Sequence, residues 1–137
     1  MNIATAQRRL ITILFADLSD STGIAAGLEP EHYADLLEQL RTIVEQVIPA
    51  HGGDVIRLDG DGVLAIFGHP DPVEDAGRRA TEAALDLNAA MASLDAAFAL
   101  PNRPLRLHCG IHAGLVLLRS GDMVRGKVEI LGDATNT

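Results

Sequence analysis

The chain has 137 residues, 47% of them apolar and 22% charged, with 6 Pro, a globular composition of a size that suits one core rather than two. Its formal charge is −8, from 11 Lys+Arg against 19 Asp+Glu, with 3% aromatics and no Trp, which excludes the broad basic surface of a nucleic-acid backbone binder and the stacking platform of a single-strand binder. An anionic small substrate stays compatible with this acidity only where divalent cations or a few arginines reverse the sign locally.

Arg8 and Arg9 precede an apolar run that breaks at Asp17, too short for a signal sequence or a membrane span. Cys109 stands alone, so no intrachain disulfide framework or cysteine metal cage is available. A soluble, cytoplasmic chain is expected. Leu10 to Ala16 (LITILFA) is continuously apolar and rich in β-branched residues, the pattern of a strand buried on both faces. The Ser, Asp, Thr and Gly residues after Asp17 predict a loop with a short helical turn around Gly23 to Ala26. Pro30 opens a helix in which Tyr33, Leu36, Leu37, Leu40, Ile43, Val44, Val47 and Ile48 make one apolar stripe, and Pro49 and Gly52-Gly53 end it.

Two β-rich runs, VIRL and VLAIF, flank Asp59-Gly60 and read as a hairpin, because Asp-Gly supplies the positive φ of a tight turn. A long helix is expected from about Val73 to Ala99, its many alanines implying close packing on a sheet. Leu105, Leu107, Cys109 and Ile111 then alternate with Arg106, His108, Gly110 and His112, the period of a strand. Leu115 to Leu118 and Val124 to Leu131 are read as further strands around a Ser120-Gly121-Asp122 turn.

Strand, helix, strand, strand, helix, strand, strand describes an α+β sandwich with a mostly antiparallel sheet, close to the split βαβ, ferredoxin-like motif. A right-handed crossover makes the first two strands parallel, and the hairpin turns the third back. Asp17, ending the first strand, and Asp61, starting the third, therefore lie at the same sheet edge and share one site if those strands are neighbours. Two carboxylates in one place repel unless a cation bridges them. Mg²⁺ and Mn²⁺ take hard oxygen ligands and commonly combine one or two carboxylates with substrate phosphates. The loop residues Ser19, Ser21, Thr22 and Gly23 offer hydroxyls and backbone N–H groups to a phosphate. The competing explanation is that Asp17 caps a turn and Asp61 flanks a hairpin.

The strings LITILFADLSDST, GGDVIRLDGDGVLAIFGHPDPVEDAGRRATEAAL, LRLHCGIHAG and VEILGDATN, in this order, resemble the catalytic domain of class III nucleotide cyclases, in the bacterial branch that often precedes ATPase or other regulatory domains. The resemblance covers nearly the whole chain. It implies a homodimer with active sites across its interface, each converting a nucleoside triphosphate, ATP first, to a 3′,5′-cyclic monophosphate and pyrophosphate. Asp17 and Asp61 match the aspartates that hold two Mg²⁺ or Mn²⁺ ions, with the backbone carbonyl of Leu18 as a further ligand. Backbone groups from Leu18 to Thr22 match the loop that wraps the phosphates. Asn136 matches the asparagine that orients the ribose from the partner protomer, and Arg57 and Glu129 occupy the base-reading positions.

Four departures accompany the resemblance. Arg57 stands where adenylate cyclases carry lysine, and a planar guanidinium donates differently from an ammonium. Glu129 stands where an adenine-reading aspartate is usual, and the guanylate pair of Glu and Cys is absent as well. Asp20 fills a slot of the phosphate loop that is often glycine. The transition-state arginine expected beyond Asn136, with the final helix and strands of the domain, would fall past Thr137. Base choice among ATP, GTP and a pyrimidine nucleotide stays open, and a non-catalytic cyclase-like module that dimerises or binds nucleotide to regulate an attached domain is the alternative.

His108 and His112 share a strand face but lack a third ligand of fitting spacing, so a zinc site is disfavoured. His51 and His69 are expected in solvent beside turns, Cys109 as a small apolar residue, Arg78-Arg79 on a solvated helix face, and Asp59 in its turn, with an assisting role toward metal through water conceivable.

Overall fold

The computed structural model describes residues 6–69, 72–100 and 104–119. Among them the chain forms β1 (Ala6–Leu18), α1 (Ser21–Ala26), α2 (Pro30–Ala50), β2 (Asp54–Asp59), β3 (Gly62–Phe67), α3 (Ala76–Phe98) and β4 (Leu107–Arg119). The sheet order is β2-β3-β1-β4, and every neighbouring pair is antiparallel. This is the split βαβ arrangement expected from the element order, with β1 inserted between β3 and β4.

Alternation along β1 explains the layering. Leu14, Ala16 and Leu18 point to one face and join Leu36, Leu40, Val44 and Ile48 of α2 and Ala80, Ala83, Leu87 and Met91 of α3 in the main core. Ile11 and Ile13 point the other way and form a second cluster with Leu64 and Ile66. Ile11 to Leu14 are buried on both faces, as the unbroken run predicted, whereas Leu10, expected inside with them, is exposed. The alanines of α3 bring its axis close to the sheet, as the sequence implied.

Several boundaries differ from the sequence reading. β1 extends to Leu18 because β4 pairs with it along its full length, from Ala6↔Arg119 to Leu18↔Leu107. Leu115 to Leu118 consequently belong to one 13-residue strand with Leu107, not to a separate one. The inward series Leu105, Leu107, Cys109 stops short of Ile111, which is exposed. Pro49 lies inside the last turn of α2 rather than ending it; the reversal falls to Gly52, at φ 82°. The strand expected over Val124 to Leu131 lies outside the described residues.

Candidate active site at the end of β1

Asp17 is the last open-face residue of β1 and sits opposite His108 of β4. On its other side β1 pairs with β3, with Ala16 opposite Val63, so the β2–β3 turn carrying Asp61 arrives beside the strand end. The contact is direct: the Leu18 N–H donates to Asp61 Oδ2 at 3.1 Å. Asp17 and Asp61 thus occupy the same edge, as the connection rules required. Leu18 takes part through its backbone, since its side chain is in the core.

The loop after Leu18 is fixed at both ends. The Ser19 N–H donates to the Arg106 carbonyl at 2.9 Å, and the first helical bond of α1 runs from the Ile24 N–H to the Asp20 carbonyl. Asp20 has φ 56° and ψ 41°, the left-handed region where a residue without Cβ is cheapest and Asp or Asn is next. That is a physical reason for glycine to be common in this slot. Ser21 and Thr22 open α1, so their amides precede its first intrahelical bond.

An open cleft of about 620 Å³ lies along the sheet face away from the helices, lined by Asp17, Phe15, His108, Arg57 and Asp59 among others. Arg57 reaches it through a register shift that sequence reasoning did not foresee. Val55 pairs with Ala65 and Arg57 with Leu64, so two steps on β2 match one on β3. The extra residue is a β-bulge, which re-aims the side chains that follow it. Strict alternation from Val55 would have turned Arg57 toward the helices. Instead Arg57 and Asp59 stand on the open face, and Arg57 Nε donates to Asp59 Oδ2 at 2.8 Å. Asp59 therefore does more than shape its turn.

The walls of the site are held from α3 and α2. Asn88 Oδ1 accepts the Leu107 N–H at 3.0 Å and Asp95 Oδ1 the Leu105 N–H at 3.1 Å, so side chains of α3 satisfy the start of β4. Asn88 Nδ2 also donates to Cys109 Sγ at 3.7 Å. Burial pushes the Cys109 thiol above its ordinary pKa, the Asn88 hydrogen bond opposes this, and the charge of Asp17 adds to it. Burial and then the nearby Asp61 carboxylate raise the Tyr33 phenol in the same way, which places the start of α2 beside the site.

Other sequence readings fare variously. His51 is hydrogen-bonded, with Nε2 2.6 Å from Asp86 Oδ2, and His69 is buried; neither is a solvated turn residue. Arg78 pairs with Asp75, which precedes α3, and with Glu82 of its own helix, in keeping with a solvated face. Among the described residues no three His, Cys, Asp or Glu side chains gather as a metal site by themselves. The carboxylates of Asp17 and Asp61 are hard oxygen donors of the kind that Mg²⁺ or Mn²⁺ takes. Glu129 and Asn136 lie outside the described residues.

The sequence matches the family described as Adenylate and Guanylate cyclase catalytic domain over residues 3–137. It is 29% identical to Adenylate cyclase 1 of Rhizobium meliloti (strain 1021) over 96% of this chain and 20% of the relative. It is 28% identical to human Retinal guanylyl cyclase 2 over 93% of this chain and 12% of the relative. The chain thus spans a fifth or less of these two relatives. Among solved structures, the guanylyl cyclase Cya2 superposes with a TM-score of 0.81 at 29% identity, covering 96% of this chain and 68% of that one. A match along almost the whole sequence, on a sheet whose order and register bring the motif aspartates to one edge, makes this chain a member of the adenylate and guanylate cyclase catalytic domain family.

Proposed function

We propose that this chain is a metal-dependent nucleotide cyclase domain that converts a nucleoside triphosphate to its 3′,5′-cyclic monophosphate and pyrophosphate. The observation that carries this reading is the arrival of Asp61 at the backbone of Leu18, the residue after Asp17, which lines the open cleft. Asp17, Asp61 and the Leu18 carbonyl would hold two Mg²⁺ or Mn²⁺ ions; these supply a lowered pKa for the ribose 3′-hydroxyl and charge neutralisation at the triphosphate. The chain's own part is placement. Asp17 and Asp61 fix the edge at which the reacting oxygens meet, and Ser19, Ser21 and Thr22 present hydroxyls and amides to the phosphates.

The cleft is open along one sheet face, which supports a homodimer in which a partner copy covers it. In that arrangement the partner contributes Arg57 and Glu129 to the base and Asn136 to the ribose. An attached regulatory domain and a cytoplasmic location belong to the same reading. No helix among the described residues is long and apolar enough to cross a membrane.

The test is incubation with Mn²⁺ and each of the four triphosphates, with chromatographic detection of cyclic product. Product formation that rises more steeply than linearly with protein concentration, and that Asp17→Ala abolishes, is expected. Nucleotide binding without turnover in the full-length natural protein would instead identify a regulatory module. Adenine is the base implied by the adenylate-like motifs, with GTP or a pyrimidine nucleotide as the alternatives that the same four-triphosphate assay separates.

A further inference from the structure

We propose, resting on the reading of Ser19 to Thr22 as a phosphate loop, that Asn88 of α3 is a positioning residue for that loop. It holds Ser19 through the single peptide group that joins Arg106 to Leu107. Asn88 lies outside the motif strings that carry the family resemblance, so its part in the site comes from packing alone.

A trans peptide group is planar, with its C=O and N–H pointing in opposite directions. The group between Arg106 and Leu107 is held at both ends. Its carbonyl accepts the Ser19 N–H at 2.9 Å, and its N–H donates to Asn88 Oδ1 at 3.0 Å. A tilt of the plane at one end is therefore felt at the other. The β1–β4 ladder ends at Leu18↔Leu107, so the Ser19 bond lies one step past the last rung. Burial of the Leu105 and Leu107 side chains sets the depth of this segment, while the rotation of its peptide planes is left to their hydrogen bonds.

The remaining contacts of Asn88 aim its oxygen. Its Nδ2 donates to the Ala84 carbonyl at 3.3 Å and to Cys109 Sγ at 3.7 Å, which leaves Oδ1 to face the Leu107 N–H. Without that acceptor the Leu107 N–H turns to water and the plane can tilt, so Ser19 keeps its register with Ser21 and Thr22 in only a fraction of molecules. Affinity for a phosphate chain falls by the fraction that stays competent. Asp95 supplies the comparison: its Oδ1 accepts the Leu105 N–H at 3.1 Å, on a peptide group two earlier in the chain that does not meet Ser19.

The experiment is calorimetric titration of the purified chain, with Mn²⁺ present, by inorganic tripolyphosphate, which reads the loop without base, ribose or turnover. Asn88→Ala should bind about three- to tenfold more weakly than wild type, the net worth of one hydrogen bond expressed as an affinity ratio. A second variant, Asn88→Leu, keeps bulk on the helix without an acceptor and should show the same loss. Each variant is first checked for an intact thermal transition. Asp95→Ala removes an equivalent acceptor from the same α3–β4 seam; it should lose stability yet bind within about twofold of wild type, because molecules that remain folded keep their affinity. The carboxylate it lacks can only have opposed an anion. Wild-type affinity in folded Asn88→Ala and Asn88→Leu, or an equal loss in Asp95→Ala, overturns the proposal and leaves the phosphate loop standing. Failure of the wild type to bind tripolyphosphate overturns the proposal and the phosphate loop together.

Discussion

Replacing Gly53 by alanine should destabilise the chain more than any other single glycine-to-alanine change among the described residues. Gly53 lies at the entry to β2, the strand that delivers Arg57 and Asp59 to the cleft, and it is buried. A Cβ there would stand 2.6 Å and 2.7 Å from two ring carbons of Phe67 and 2.9 Å from the Ile48 Cγ2. Carbon atoms rest at about 3.5–4.0 Å, so each contact must open by roughly 0.6 Å or more. Phe67 and Ile48 are fully buried and have little room to retreat. Overpacking of this kind costs about 1–3 kcal/mol, and two immobile neighbours put Gly53→Ala at the upper end, about 3 kcal/mol. For a domain of this size that is a fall in Tm of roughly 10 °C.

Gly60→Ala is the internal control. Gly60 has φ +57°, and no atom lies within 4 Å of where an alanine Cβ would stand, so its substitution meets only left-handed strain, about 1–2 kcal/mol. Thermal and urea unfolding of both variants decides the matter. Phe67→Leu, which shortens the obstructing ring, should couple favourably with Gly53→Ala in a double-mutant cycle. Equal stability of Gly53→Ala and wild type, or a Gly60→Ala variant that is the less stable of the two, would falsify the packing argument.

Asp17→Asn and Asp61→Asn should both abolish cyclic-nucleotide formation in the Mn²⁺ assay, but Asp61→Ala alone should also lower stability, by about 1–3 kcal/mol, because it strands the Leu18 N–H. Asn88→Ala removes the acceptor of the Leu107 N–H and should cost a similar amount in urea unfolding; Asn88→Asp, which keeps an oxygen at that position, should cost less. The Cys109 thiol, raised first by burial, should react with iodoacetamide at pH 8 more slowly in the folded chain than in urea. Because its folded pKa lies above its unfolded one, as does that of Tyr33, the unfolded state loses these protons first. Stability from both groups is complete below the unfolded pKa values and should decline as pH rises above about 9.

The sequence by itself determined the parts that depend on local chemistry. An apolar run without alternation marked a strand covered on both sides; the stripe from Tyr33 to Ile48 marked a helix lying on a sheet; Asp-Gly marked the tight turn of the hairpin. Handedness and antiparallel return then sent Asp17 and Asp61 to the same edge, and β1 next to β3 completes that argument. The length of β1 and β4 was not legible, because Gly114 looks like a break until a 13-residue ladder pairs it with Ile11. Nor could local sequence show that His51 meets Asp86, a pair brought together only by the packing of α2 and α3.

Tertiary structure alone decided which way Arg57 faces. Alternation counted from Val55 turns it toward the helices, whereas the bulge, whose position depends on how β2 registers against β3, turns it and Asp59 into the cleft. Register is a property of two strands together, since a one-residue slip exchanges every inward side chain for its outward neighbour. The acidity of the chain therefore acquires two different meanings: Asp17 and Asp61 are fixed at one edge by topology, and Asp59 becomes the partner of Arg57 only through pairing.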